Sequence, residues 1–194
     1  MKKMIYISSY ILLSLCLISC QSKQKKKNIS KHESIINTAL GTRLKLPIDL
    51  STYDYLNNYK SDSISTLNSK FKIYSRIDGS CGTCIDFINK WSDLSYKLNE
   101  YDTSIILMCH SEDNFELIKY LGESGKIKKF QYPLFFDKKN EFIKLNSFMK
   151  EHKHFETVLT DKDNYILAVG NPIISKDIGD LYIKEINKSS SDKK

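Results

Sequence analysis

The chain has 194 residues, with Lys+Arg 30 against Asp+Glu 23, 41% hydrophobic and 27% charged residues, and five cysteines. That length suits one globular domain with modest extensions and excludes two sizeable α/β domains; the apolar and aromatic content excludes wholesale disorder or a fibrous repeat. The net charge of +7 raises the question of nucleic-acid binding, which the positions of the lysines answer.

Lys2 and Lys3 precede the apolar run Ile5 to Ile18, which is short for a membrane span and has the form of a secretory h-region. It ends in Leu17-Ile18-Ser19-Cys20. This resembles the bacterial lipobox, in which a small residue precedes a cysteine that is lipidated and becomes the mature N-terminus. The expectation is a signal peptide over 1–19 and a lipid on Cys20. Cys16 then leaves with the peptide, and Cys81, Cys84 and Cys109 remain for chemistry. Cleavage removes two lysines and no acids, so +7 becomes +5. Lys23, Lys25, Lys26 and Lys27 fall in a polar stretch, and 20–29 reads as a flexible basic tether on anionic head groups. Much of the basicity thus lies outside the folded part, and no nucleic-acid partner is expected.

Residues 30–69 read as an N-terminal extension. Ser30 to Leu40 has a short amphipathic pattern with Gly41 as its stop, and Leu44, Leu46, Ile48 and Leu50 alternate around Pro47 as an edge strand would. From residue 70 to 187 the pattern is regular. Phe71 to Ile77 alternates apolar and polar, as a half-buried strand does, and ends at Asp78-Gly79-Ser80. A helix comes next over Cys84 to Leu98. Thr103 to Cys109 is a nearly continuous apolar run, as in a central strand, and Ser111 to Leu121 suits a helix ending near Gly122. Next come a short strand over Tyr132 to Asp137 and a helix over Glu141 to Phe148. A hairpin then turns at Asp161 to Asn164, and a last helix spans Ile178 to Ile186. Residues 188–194 read as a disordered tail. The order predicts an α/β fold, a mixed central sheet sandwiched by helices.

The chemistry concentrates at Cys81-Gly82-Thr83-Cys84, where a strand ends and a helix begins. Free N–H groups and the dipole at a helix start stabilise a thiolate on the first, more exposed cysteine, and the second closes an intramolecular disulfide. The pair could instead be an inert structural bridge or half of a zinc site, although no second Cys pair or His-x-x-x-His occurs at ligand spacing. His152 and His154 read as surface residues, and no metal or cofactor is expected. Cys109 and His110 adjoin on a strand and so point to opposite faces, which argues for a buried thiol and against a nucleophile with its base.

Three segments, Ile77 to Ile85, Tyr132 to Asp137 and Thr157 to Ile166 before Gly170, resemble the thioredoxin-like superfamily, and more closely the exported, lipid-anchored redoxin proteins of Gram-negative bacteria. The resemblance implies Cys81 as attacking and Cys84 as resolving thiol in an envelope thiol–disulfide oxidoreductase. Its expected partners are exported proteins with thiols or disulfides, an inner-membrane electron donor, and the membrane through the lipid. Gln21, where some lipoproteins carry a retaining aspartate, leans toward the outer membrane, facing the periplasm. The departures are specific. The family's cis-proline would fall near Phe155 or Glu156, and no proline occurs between Pro133 and Pro172. Its buried relay acid would fall at Ser75, with Asp78 and Asp86 as substitutes. Ser80 replaces the tryptophan before the first cysteine, and Trp91 reads as core. These departures keep open a redox-inactive alternative, in which the bridge is structural and the domain binds a partner protein or peptide.

Overall fold

In the computed structural model, residues 30–53, 66–128 and 130–191 are described. The expected signal peptide, Cys20 and the basic tether lie outside them. The chain forms two compact units, Met1–Thr38 and Ala39–Lys194. The described part of the first is helical, the start of α1 over 30–39. Thr38 there turns its hydroxyl back onto the carbonyls of Ser34 and Ile35.

The second unit contains β1 (Ser51–Tyr53), β2 (Phe71–Asp78), α2 (Gly82–Leu98), β3 (Thr103–His110), α3 (Glu116–Glu123), β4 (Leu134–Phe136), α4 (Glu141–Leu145), β5 (Thr157–Asp161), β6 (Ile166–Val169) and α5 (Lys176–Ser191). The sheet order is β1-β4-β3-β2-β5-β6. Strands β2, β3 and β4 run parallel, while β1, β5 and the β5–β6 hairpin pair antiparallel. A βαβ unit joined to a terminal ββα unit, with the two cysteines at the first strand–helix junction, is the thioredoxin-like topology.

Side-chain alternation explains the two layers. Phe71, Ile73 and Ile77 of β2 and Ile105, Leu107 and Cys109 of β3 share one core with Ile85, Ile88 and Trp91 of α2, Ile118 of α3, and Tyr182 and Ile186 of α5. Tyr74 projects to the opposite face and packs on Phe142 of α4, ring centroids 6.3 Å apart. Because helices cover both faces, Phe71 to Ser75 are all buried, and the half-buried strand expected from alternation is a central one. Lys72 is the polar consequence. Its Nζ donates to the carbonyls of Leu67 (3.1 Å) and Lys162 (2.8 Å), and burial lowers its pKa from the ordinary lysine range.

Several boundaries differ from expectation for identifiable reasons. The stretch Leu44 to Leu50 forms no strand; an isolated bridge, Arg43 to Tyr165, lies just before it, Leu44 is buried and Ile48 fully exposed, and the edge strand is Ser51–Tyr53. Helix α3 starts at Glu116 rather than Ser111, because Asn114 and Phe115 are left-handed (φ 55° and 66°). There the Ser111 hydroxyl caps the N–H groups of Asp113 and Phe115. Gly125 (φ 73°), not Gly122, supplies the left-handed turn after α3. The helix after β4 ends at Leu145 and gives way to a 3-10 turn, Ser147–Glu151, and α5 continues through Ser191, well past Ile186. Gly170 closes β6 at φ 130°, with Ile178 3.0 Å from where a Cβ would stand, a position that only glycine fits without displacement.

Candidate functional site

Strand β2 ends in a tight turn. The Asp78 carboxylate accepts the Ser80 N–H at 3.0 Å, and Gly79 donates to the His110 carbonyl at 2.7 Å. A Cβ on Gly79 would stand 3.3 Å from that oxygen and from the Ser111 Cβ, so the absent side chain lets the two loops touch. The Ser80 hydroxyl accepts the Glu112 N–H at 2.7 Å and lies 3.1 Å from the Ser111 hydroxyl, which ties the β2–α2 turn to the end of β3.

This turn delivers Cys81 to the cap of α2. Its carbonyl accepts the N–H groups of Cys84 and Ile85, both at 3.0 Å. Its sulfur accepts the Cys84 N–H at 3.3 Å and lies 3.3 Å from the Thr83 hydroxyl. Cys81 and Cys84 are bonded as a disulfide with Cα atoms 5.1 Å apart, and both are half-buried. The first turn of α2 carries no acidic residue, so its own side chains leave the positive end of the helix free to act on the sulfur. The arrangement can hold a sulfur anion at Cys81 and present its second sulfur three residues on, at bonding distance.

Cys84 opens onto a pocket of about 210 Å³ lined by both ends of the junction, with Ser75, Arg76 and Asp78 from β2, Phe87 and Trp91 from α2, and Glu156 ahead of β5. Cys84, Phe87 and Trp91 line it together because residues three and seven apart share a helix face. Ser75, at the relay-acid position, shares a 2.8 Å hydrogen bond with the Thr157 hydroxyl, so nothing titratable stands there. The neighbouring carboxyl is Glu156, which reaches Arg76 Nη1 at 3.5 Å while the Arg76 N–H donates to the Glu156 carbonyl at 3.0 Å. Burial raises the pKa of Glu156, and the Arg76 guanidinium opposes that rise. The described residues contain no cis peptide bond, so the Phe155–Glu156 link runs trans. Sequence reasoning singled out Glu156 only as a missing proline and did not find its ion pair with Arg76; Arg76 fits the polar half of the strand's alternation, so no local signal marked it.

The remaining candidates separate. Asp78 lines the pocket, whereas Asp86 is exposed on α2. Trp91 is fully buried, as expected of core, and lines the pocket as well. Cys109 is a buried free thiol whose pKa burial raises far above the ordinary range. The His110 ring instead meets the Asp137 carbonyl at 3.1 Å through Nδ1. His152 and His154 stack with centroids 4.6 Å apart, and no group of three or more potential metal ligands occurs among the described residues.

No family model matches the chain, and no curated protein does. Among solved structures it is similar to a candidate protein disulfide isomerase from Bacteroides thetaiotaomicron, at 18% identity and TM-score 0.48, covering 77% of this chain and 88% of that one. A domain of a possible thiol-disulfide isomerase from Cytophaga hutchinsonii gives 18% identity and TM-score 0.48, covering 77% and 96%. The thioredoxin domain of a thiol-disulfide oxidoreductase from Bacteroides vulgatus gives 15% identity and TM-score 0.43, covering 74% and 98%. Likeness at this level says nothing about activity, and the fold assignment rests on strand order and on the placement of the cysteine pair.

Proposed function

We propose that the protein is a thiol–disulfide oxidoreductase of the cell envelope, anchored by lipid on Cys20, which exchanges disulfides with exported proteins through Cys81 and Cys84. The observation that carries this reading is the Cys81 sulfur at the N-terminus of α2, accepting the Cys84 N–H and bonded to the Cys84 sulfur three residues on. In the reducing direction, the Cys81 thiolate attacks one sulfur of a substrate disulfide and the other sulfur leaves as a thiolate. The Cys84 thiolate then attacks Cys81, forming the Cys81–Cys84 bond and releasing the second substrate thiolate. Two electrons pass from the pair to the substrate, and an external thiol donor, such as one in the inner membrane, restores the dithiol. The oxidising direction is the reverse.

The Ser75–Thr157 pair and the trans link at Glu156 favour a second reading, a partner-binding domain with a structural bridge. The two part on one experiment. Membranes from cells expressing Cys84→Ser protein should contain mixed disulfides at Cys81 that reducing agent releases, and their absence would support the binding module.

A further inference from the structure

Cys84 attacks as a thiolate, so its proton needs an acceptor, and Ser75 at the relay-acid position spends its hydroxyl on Thr157. Two carboxylates line the pocket onto which Cys84 opens, Asp78 and Glu156. Asp78 is committed to the turn, where it accepts the Ser80 N–H at 3.0 Å. The Glu156 side chain is four-fifths buried, and among the described residues its carboxylate pairs with Arg76 alone, through Oε2 at 3.5 Å. Oε1 is left to accept from water. Thr157 stands opposite Ser75 in the β2–β5 register, so Glu156, the residue before it, borders the relay position from the neighbouring strand. The charges that face it are Arg76 and Asp78 of β2 and Lys153 of its own loop, while α2 contributes the uncharged Cys84, Phe87 and Trp91. Burial there raises the Glu156 pKa, which brings the carboxyl closer to a thiol and suits it to take up a proton and return it. A cavity of about 210 Å³ holds several waters, at about 30 Å³ each, enough to join groups on its wall that do not touch.

We infer that Glu156 is the proton acceptor for Cys84, reached through water in the pocket they share. This role rests on the proposed thiol–disulfide exchange and supplies the proton transfer of its second step. The Cys84 S–H proton passes through water to the Glu156 carboxylate, the Cys84 sulfur bonds to Cys81, and the bond between Cys81 and the substrate sulfur breaks. The departing thiolate keeps the electron pair, and the proton on Glu156 goes on to it or to solvent. The oxidising direction runs the same proton back. The acid thus comes from the loop ahead of β5 rather than from β2.

The test isolates the resolving step. In full-length reduced protein in detergent at about pH 4, where Cys84 is protonated, dithiobis(nitrobenzoate) converts Cys81 to its thionitrobenzoate mixed disulfide, and excess reagent is removed. A stopped-flow step to between about pH 5 and 9 then follows release of thionitrobenzoate as Cys84 displaces it. That group leaves as a thiolate throughout, so the profile reports the Cys84 proton. Wild-type rates should rise with pH, bend above the ordinary carboxylate range as Glu156 ionises, and stay level until Cys84 ionises by itself. Glu156→Gln should lose the bend, rise about tenfold per pH unit, and be at least about tenfold slower at pH 7. The sign separates a relay from electrostatics, because removing a negative charge beside Cys84 favours its thiolate and would speed release. Glu156→Asp keeps a carboxylate on the cavity and should retain the bend; it also decides the matter if the Gln variant does not fold. Release from Glu156→Gln as fast as wild type or faster, a rate lowered equally at every pH, or a Glu156→Asp profile without a bend overturns the relay alone. Absence of any release contradicts the exchange and the relay together, whereas membranes without mixed disulfides contradict the proposed function and leave the relay standing.

Discussion

Strands β2 and β3 lie side by side in parallel, with Ile77 registered on Cys109 and Asp78 on His110, so the thiol-bearing stretches reach the same end of the sheet. The point at which each strand stops decides the chemistry of its cysteine. After β2 the chain turns at Gly79 and enters a helix, which places Cys81 outside the sheet, half-exposed, at the positive end of α2. Cys109 is still inside β3, its thiol buried and its carbonyl occupied by the Asp137 N–H. Adjacency to a histidine does nothing for Cys109, because the His110 ring is turned to the Asp137 carbonyl. Position relative to the strand end outweighs a neighbouring base.

The largest effects should break the contrast at the sulfur atoms. Replacing Cys81 or Cys84 with serine should reduce steady-state insulin-disulfide reduction to background, while Cys109→Ala should leave the rate unchanged and cost only about 1 kcal/mol of stability. In the reduced native protein, iodoacetamide should modify Cys109 at least ~10³-fold more slowly than Cys81, since reaching a buried thiol requires opening of the core. Mass spectrometry of timed samples measures both. Comparable rates would place Cys109 at the surface.

A smaller effect sharpens the role of the turn. Gly79→Ala pushes a Cβ against the His110 carbonyl and Ser111, and should destabilise the fold by about 1–2 kcal/mol in urea titrations.

How much of this was legible in the sequence depends on which contacts are local. The hairpin, the strand–helix junction at Cys81 and the burial of Cys109 come from periodicity and turn chemistry within a few residues. The edge strand did not, because Leu44 to Leu50 carries the right alternation but pairing depends on β4, more than eighty residues away, which bonds to Ser51–Tyr53 instead. Burial of Lys72 is likewise invisible locally, since the carbonyl of Lys162 that receives its ammonium comes from the β5–β6 turn. The Arg76–Glu156 pair is the functional example. Each residue looks like an ordinary charge until β5 is placed beside β2.

Lys72 also gives a pH test at the far end of β2. Its folded-state pKa is lowered while the unfolded value stays near 10.5, so the native state binds fewer protons between the two. Stability should therefore rise with pH through the window below 10.5, and Lys72→Met should lack that rise. Paired urea titrations at pH 8 and 10 measure the difference, which should be the smallest of these effects.

The central claim is that the start of α2 makes Cys81 a reactive thiol within a reversible pair. The direct measurement is the pH dependence of Cys81 alkylation in the reduced protein, taken together with the reduction potential of the Cys81–Cys84 bridge. The account predicts an apparent Cys81 pKa below the free-thiol value of about 8.5 and a potential no lower than thioredoxin's, about −270 mV. A Cys81 pKa at or above that of a free thiol, with a potential far below thioredoxin's, would contradict it and leave the bridge as structure.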